Sequence, residues 1–308
     1  MIPLSSKIAA AQRNRGTIFV EDAVLVEKKC YASQQFKLRL TAPKIAGTAR
    51  AGSFVHIQCG PGIQLRRPLS ILRTDAVEGW IEIMFKVVGH GLRQLSDAKI
   101  GDRHSCIGPV GHGFEPHPDK PRTLLVGGGV GIPPLILLTA QLLADNKDWR
   151  PLVLMGSEVP FPFDLSASAL QAEWAPGDAF KTVALLEDWG VPARLASLAG
   201  IHGCYKGFVT GLAHSFLHTL APDELLQTEI YACGPLPMLH AVARLAVQFG
   251  LPCQVSLEEF MACGVGGCAG CIVEVHSPDG PLMQRVCVDG PVFEAGHIFV
   301  DALESSTT

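Results

Sequence analysis

The chain has 308 residues, of which 48% are hydrophobic and 18% charged, so two or three domains with sizeable cores are expected. The formal net charge of −4 and the lack of a basic run argue against a nucleic-acid partner. Ten cysteines are few for a secreted disulfide scaffold, and the N-terminus lacks the long apolar stretch of a signal peptide. We therefore expect a cytoplasmic protein, in which clustered cysteines bind metal or act in catalysis.

Short apolar or alternating segments, separated by glycine and proline, follow a predicted polar arm at residues 1–16. They cover residues 24–26, 36–40, 54–59 and 80–88. This pattern predicts an antiparallel β-barrel over residues 17–119.

The motif Arg67-Pro68-Leu69-Ser70 lies in this region. An arginine can form two parallel hydrogen bonds to a phosphate, and a serine three residues later can donate another. The alternative for such a short motif is an ordinary arginine at a strand edge.

Gly89 and Gly91 precede a predicted short helix. A glycine turn of this kind can present backbone N–H groups to a pyrophosphate, although a plain turn is the alternative.

From residue 123 the pattern changes to strands that alternate with helices. Strands are predicted over residues 123–126, 151–155, 182–186, 207–210, 229–233 and 254–257, and helices over residues 133–144 and 235–249. This order predicts a parallel α/β domain over residues 120–255, whose ligands bind beyond the carboxyl ends of the strands. Residues 123–144 carry no charge, but the glycines and prolines in their middle argue against a membrane span.

Several residues at predicted strand ends of this domain could bind a dinucleotide. Gly129 and Gly131 form a G-x-G-x-x-P turn that lets a pyrophosphate approach a helix N-terminus. Glu158 follows the second strand, where a carboxylate can bind a ribose diol and repel a 2′-phosphate, which favours NAD over NADP. A solvated surface charge is the alternative for Glu158. Cys233 and Gly234 end a later strand, where the cysteine could touch a nicotinamide or simply pack.

Four cysteines near the C-terminus follow the pattern C-x4-C-x2-C-x15-C. They are Cys263, Cys268, Cys271 and Cys287. The first three have the spacing of plant-type [2Fe–2S] ligands, and the small residues between them let the backbone wrap closely around a cluster. A structural zinc site is the alternative, but such sites usually have two paired knuckles, whereas Cys287 stands alone. The sequence thus predicts a small iron–sulfur domain over residues 256–308.

Taken in order, the motifs at residues 67–70, 129–134 and 231–238 resemble the ferredoxin–NADP reductase superfamily, in which a flavin barrel precedes a nicotinamide domain. The segments 256–271 and 286–293 and the loop 108–114 resemble the electron-transfer subunits of NAD-dependent bacterial dihydroorotate dehydrogenases. This resemblance implies FAD, one [2Fe–2S] cluster and NAD as cofactors. It also implies an FMN-containing catalytic subunit as partner, in a heterotetramer of two plus two chains.

The resemblance implies a role for each motif residue. FAD contacts are expected from the barrel motifs, namely Arg67, Pro68, Leu69, Ser70, Gly89, Gly91 and Leu92. NAD contacts are expected from Gly129, Gly131, Glu158, Cys233 and Gly234. The cluster ligands are expected to be Cys263, Cys268, Cys271 and Cys287. No catalytic acid, base or nucleophile is expected, because the substrate chemistry would take place on the partner.

The chain departs from the family pattern in three places. Leu92 stands where the family often has threonine, residues 191–202 resemble an insertion, and the arm at residues 1–16 is extra. A reductase subunit for an oxygenase, hydrogenase or sulfite reductase is therefore the alternative. A non-catalytic zinc or redox-sensing protein is a further alternative from another class.

Overall fold

The computed structural model of the protein describes residues 17–145 and 147–304, so the predicted arm at residues 1–16 lies outside the described residues. The strands are β1 (Phe19–Tyr31), β2 (Gln35–Thr41), β3 (Phe54–Ile57), β4 (Arg67–Asp75), β5 (Trp80–Lys86), β6 (Arg103–Val110), β7 (Arg122–Gly128), β8 (Arg150–Gly156), β9 (Leu165–Ala167), β10 (Lys181–Val183), β11 (Ala193–Ala196), β12 (Thr228–Cys233), β13 (Cys253–Ser256), β14 (Ile272–Ser277), β15 (Gly280–Arg285) and β16 (Val292–Glu294). The helices are α1 (Pro43–Thr48), α2 (Gly89–Asp97), α3 (Ile132–Ala144), α4 (Ala184–Asp188), α5 (Val209–Leu217), α6 (Pro222–Leu226), α7 (Leu236–Phe249), α8 (Ala295–Ile298) and α9 (Val300–Glu304).

The first six strands close into an antiparallel barrel in the order β1-β2-β5-β4-β3-β6. Alternation along the strands fills its interior: Leu38 and Leu40 of β2 lie opposite Ile83 and Ile81 of β5. All four side chains are fully buried, and each such burial contributes about 1.5–3 kcal/mol. The predicted barrel is confirmed.

The second sheet has the order β11-β8-β7-β12-β13-β16. Its first five strands are parallel, and β16 adds to the edge in the antiparallel direction. The predicted parallel α/β sheet is therefore confirmed. The uncharged segment 123–144 forms most of β7, a 3₁₀ turn at Gly129–Gly131 and helix α3, as expected. Within the described ranges, no helix has the length and apolar character needed to span a membrane.

Two predicted strands of this sheet were wrong. The segment 182–186 divides between β10, which pairs only with β9, and helix α4. The segment 207–210 leads into helix α5. The buried residues of this helix, Val209, Leu212, Ala213 and Leu217, recur at helical spacing. The β-branched residues Val209 and Thr210, which suggested a strand, therefore form the first turn of the helix.

Residues 191–202 contain β11, an edge strand of the parallel sheet that the sequence did not predict. Their interpretation as an insertion relative to the family stays a prediction. The strand is only four residues long and carries Arg194, which interrupts the apolar run that would mark a strand. Arg194 is buried, and its guanidinium donates hydrogen bonds to the carbonyl oxygens of Ala193 and Leu170, both at 2.7 Å.

Two glutamines fix the barrel and the linker that follows it against the α/β sheet. Gln141 of α3 accepts a hydrogen bond from the backbone N–H of Ala51 at 2.9 Å and donates one to the carbonyl of Ala49 at 3.1 Å. Gln254 of β13 makes the same kind of reciprocal pair with the backbone of Glu115, at 3.0 and 2.8 Å. These four hydrogen bonds therefore fix the relative position of the barrel and the α/β sheet, on either side of the space between them.

The C-terminal region combines the β14–β15 hairpin with the edge strand β16 and the last two helices. It is anchored to the end of the barrel, where the N–H of His112 donates to the carbonyl of Gly290 at 2.6 Å. Because β16 belongs to the α/β sheet, residues 256–304 are not structurally separate from it. The domain boundaries at residues 119 and 255 stay predictions.

Candidate cofactor cavity and cysteine cluster

A cavity of about 930 Å³ lies between the barrel, the α/β sheet and the C-terminal loop. Its volume is at the upper end of the range typical of cofactor sites. Arg67, Pro68, Leu69, Ser70 and Leu92 of the barrel line it, together with Val130 of the glycine turn, residues 256–262, and Gly270. The arginine motif, the glycine turn and the cysteine loop, which are far apart in the sequence, thus meet around one space.

The arginine motif and the glycine turn before α2 form one side of this space. The guanidinium of Arg67 lies against the first turn of α2, since a Cβ added at Gly91 would be 3.3 Å from its Nη2 atom. Gly89 begins that turn with a φ of +73°, a conformation that L side chains rarely adopt. A cation and a helix N-terminus side by side suit a phosphate group. Leu92 gives this wall an apolar surface instead of a hydroxyl.

The adjacent arginine has a different role. Arg66 donates a hydrogen bond to Ser105 Oγ at 2.9 Å and another to the Ser105 carbonyl, so it ties β6 to the start of β4. Among the residues that the structure describes, Arg67 donates only to the nearby carbonyls of Leu65 and Arg66, at 2.8 and 3.2 Å. Its other guanidinium nitrogens remain available to a ligand.

The second predicted glycine turn packs tightly against the end of β12. A Cβ added at Gly131 would lie 2.5 Å from the carbonyl group of Cys233 and from the nitrogen of Gly234, so only glycine fits there. Burial raises the pKa of the Cys233 thiol well above its usual value, and the Glu258 carboxylate raises it further. The thiol is therefore neutral and unsuited to act as a nucleophile.

Glu158 lies outside this cavity. It is exposed, two residues beyond the carboxyl end of β8, which is the neighbour of β7 in the sheet. The structure therefore places it at the ligand-binding edge of the sheet but outside the cavity lining, and its contact with a ribose stays a prediction.

The four cysteines form two pairs. Cys263 lies next to Cys268, and Cys271 lies next to Cys287. In the second pair the backbone N–H of Cys287 donates to the Sγ of Cys271 at 3.5 Å. The first pair is at the surface, with Cys268 exposed, whereas both members of the second pair are buried. A [2Fe–2S] cluster has two irons, each with two protein ligands, so a paired arrangement fits it. Across the described ranges, no three histidine, cysteine or carboxylate side chains converge as ligands of a single metal ion.

Backbone N–H groups of the loop point at its sulfurs. Gly267 and Val265 donate to the Sγ of Cys263 at 3.3 and 3.5 Å, and Gly270 donates to the Sγ of Cys268 at 3.4 Å. Burial opposes ionisation of Cys263, but these bonds and those from Cys268 outweigh it and lower the pKa of Cys263 to about 7. Such donors stabilise thiolates, which are the form that binds metal.

The pKa of Cys287, in the inner pair, is shifted in the opposite direction. Burial raises the pKa of Cys287 to about 12, with further contributions from the hydrogen bond and the charge of Cys271. Bound iron would therefore be needed to hold Cys287 as a thiolate.

Arg285 is a residue of the site that our sequence reasoning missed. Its Nη1 atom donates to the carbonyl of Gly266 at 3.2 Å, and its Nε atom pairs with Asp289 at 3.0 Å. It therefore joins the loop that carries three cysteines to the turn that carries Cys287. The only signal in the sequence is that an arginine and an aspartate flank Cys287.

The comparisons with known proteins agree with this geometry. The family profile for the iron–sulfur cluster binding domain of dihydroorotate dehydrogenase B matches residues 258–299. The electron transfer subunit of dihydroorotate dehydrogenase B (NAD+) from Geobacillus thermodenitrificans is 34% identical over 283 residues, which cover 90% of this chain and 98% of that protein. The subunit of the same name from Bacillus cereus is 32% identical over 286 residues, with the same coverage of 90% and 98%.

Solved structures show the same architecture. An NADH-dependent reduced ferredoxin–NADP oxidoreductase aligns with a TM-score of 0.68 and 25% identity, over 92% of this chain and 94% of that one. The ferredoxin reductase of carbazole 1,9a-dioxygenase aligns with a TM-score of 0.58 and 20% identity, over 76% and 67% of the two chains, which supports the fold alone. The predicted fold class, a barrel followed by an α/β domain and an iron–sulfur region, is confirmed.

Proposed function

Because the chain belongs to the family of dihydroorotate dehydrogenase B electron transfer subunits, we propose that it carries electrons between an FMN-containing catalytic subunit and NAD. The observation that carries this proposal is the single cavity that borders the arginine motif, the glycine turn and the cysteine loop. One space next to all three motifs lets a flavin, a nicotinamide and a cluster come within electron-transfer reach.

The residues fit the three groups in distinct ways. Arg67 and the N-terminus of α2 would hold the FAD pyrophosphate, with Pro68, Leu69, Ser70 and Leu92 along the flavin. The turn around Gly129 and Gly131 would hold the NAD pyrophosphate, with Glu158 at a ribose and Cys233 and Gly234 near the nicotinamide. The two cysteine pairs would hold [2Fe–2S]. When bound, these groups supply hydride transfer, single-electron transfer and, through the flavin, the exchange between them.

The protein's own part is to bind, orient and separate these groups. The neutral, buried Cys233 packs without reacting, and the glycines allow close approach of the dinucleotide. The chemistry on dihydroorotate belongs to the partner, which we propose assembles with this chain in the cytoplasm as two plus two subunits.

The partner would contact the face around the exposed cysteine. Several large apolar side chains are exposed in this region, namely Phe260, Val265, Ile272 and Met283, and Phe260 is 94% exposed. Exposed apolar residues next to a functional group are typical of protein interaction surfaces. An electron would then cross a short distance from the partner to the outer cysteine pair.

A second candidate is a reductase subunit that serves another catalytic chain. The likeness to the NADH-dependent reduced ferredoxin–NADP oxidoreductase, over 92% of this chain, favours it. The two candidates share all three cofactors and differ only in the partner.

The test is a visible absorption spectrum of the anaerobically purified protein before and after NADH, with assays of iron and sulfide. Flavin bands and a red shoulder that both bleach would support the proposal. Flavin without iron would remove the cluster from it, and a colourless protein with bound zinc would overturn it. Reduction of NAD+ by dihydroorotate after the candidate catalytic subunit is added would separate the first candidate from the second.

A further inference from the structure

Glu258 is an acidic residue in the cavity that the function described so far does not use. It lies between β13 and Cys263, in the segment that leads from the α/β sheet to the cysteine loop. The side chain is open to the cavity, whose walls it shares with the arginine motif and with Val130 of the glycine turn. No hydrogen bond or ion pair to its carboxylate is found among the described residues, so a ligand in the cavity is its natural partner.

The surroundings of this carboxyl favour its protonated form. Burial within the walls of the cavity raises the pKa of Glu258 to about 7. The charged groups that line the same cavity are Arg67 of β4, Lys86 of β5 and the adjacent Glu259. The buried thiol of Cys233 lies near Glu258 behind the cavity wall. None of them forms an ion pair with Glu258, so the proton is free to leave and return near neutral pH.

The proposed function creates a need for such a proton. Two-electron reduction of bound FAD from the cluster side consumes one proton at flavin N5, according to FAD + 2e⁻ + H⁺ → FADH⁻. The next step, FADH⁻ + NAD⁺ → FAD + NADH, moves that hydrogen on as part of the hydride. In the opposite direction, NADH transfers a whole hydride to FAD and no separate proton is needed. The proton at N5 is released only when FADH⁻ gives up its electrons one at a time to the cluster.

We propose that Glu258 is the group that exchanges this proton with the flavin, donating it when electrons arrive through the cluster and accepting it when they leave. The inference rests on the proposed function, because it requires FAD in this cavity. The carboxyl would then exchange its proton with water through its open side. Glu258 would be a catalytic residue of the one-electron half of the reaction and would have no role in the hydride half.

The pH dependence of the FAD midpoint potential, measured without NAD, tests the proposal apart from turnover. The negative charge of FADH⁻ strengthens proton binding by a nearby carboxyl. In a window above pH 7, reduction should therefore take up two protons instead of one, which makes the slope of potential against pH about twofold steeper. Glu258→Gln should show the shallow slope throughout, and Glu258→Asp should keep a steep window. Glu173→Gln, a change at an exposed carboxylate that does not line the cavity, should behave like the unmodified protein.

A kinetic measurement shows whether Glu258 transfers the proton to the flavin or only lies close enough to sense the charge of FADH⁻. Glu258→Gln should leave the rate of FAD reduction by NADH unchanged and slow the passage of electrons from reduced FAD to a one-electron acceptor by about 100-fold, the lower end of general acid–base effects. An unchanged potential profile in FAD-loaded Glu258→Gln, or equal slowing of both steps, would overturn the inference. If Glu258→Gln does not retain FAD, the Glu258→Asp variant decides instead. A shallow slope of potential against pH in that variant would also overturn the inference. A purified protein without FAD would instead refute the proposed function and this inference with it.

Discussion

The backbone of Gly264 passes directly over the imidazole ring of His56, so close that a Cβ added at Gly264 would lie 2.6 Å from His56 Nδ1. His56 is fully buried on β3, where it pairs in register with Pro68 of β4. One barrel side chain therefore separates the strand of the arginine motif from the first turn of the cysteine loop. We expect this contact with the barrel, and not the loop alone, to set the position of the proposed cluster relative to the proposed flavin site.

Replacing Gly264 should displace the cysteine loop. Gly264→Ala adds a methyl group against a buried ring, and its φ of +66° is unfavourable for alanine. We expect a loss of about 1–3 kcal/mol in stability and less iron and sulfide per chain. Gly267→Ala is the matched control, because a Cβ there has nothing within 4 Å. Equal iron content in the two variants would show that the His56 contact does not position the loop.

Removing the exposed cysteine should separate the two halves of electron transfer. Cys268→Ser replaces a proposed cluster ligand of the outer pair, so we expect a weakened cluster and loss of transfer to the partner. Reduction of FAD by NADH should persist, because the cavity walls do not depend on Cys268. Stopped-flow spectra of both steps would test this, with Cys30→Ser as a control at another exposed cysteine. Loss of the NADH step in a folded, FAD-loaded variant would contradict this division.

The charge of Arg67 should contribute to FAD affinity. A hydrogen bond to a charged group contributes about 1.5–3 kcal/mol, so Arg67→Gln should weaken FAD binding by roughly 10- to 100-fold. Titration of the apoprotein with FAD, followed by flavin fluorescence, measures this change. Arg103→Gln, at an exposed position of β6, should leave the affinity unchanged. If Arg67→Gln and Arg103→Gln bound FAD with similar affinity, residues other than Arg67 would hold the FAD phosphates.

Glu158 should set the preference between the two nicotinamide dinucleotides. A carboxylate at a ribose binds the diol of NADH and repels the 2′-phosphate of NADPH. Glu158→Gln should therefore reduce the ratio of kcat/KM for NADH over NADPH by about tenfold, or about 1.4 kcal/mol. Glu173→Gln removes an equally exposed carboxylate elsewhere and should not change the ratio. An unchanged ratio in Glu158→Gln would mean that the Glu158 carboxylate lies in solvent and does not contact the ribose.

Local spacing in the sequence predicted the parts of the site that depend on residue type and short-range geometry. The cysteine pattern, the glycine turns and the arginine motif need particular residues within one loop or turn, and those residues can be recognised without tertiary contacts. Long apolar strands such as β7 and β12 were predicted for the same reason, since a buried parallel strand has a continuous apolar run. Strand β11 was missed because a buried arginine interrupts its short run.

The tertiary structure alone decided how these parts meet. The sequence could not predict that residues 292–294 return as an edge strand of the α/β sheet, or that His56 of the barrel supports the cysteine loop, because both contacts join distant segments. It could not show that Glu258 faces the cavity between the layers, since a pair of glutamates after a strand is ordinarily a solvated surface feature. By itself the sequence determined which groups the chain can bind. Packing between layers determined how these parts are arranged in space and created the environments that raise the pKa values of Glu258 and Cys287.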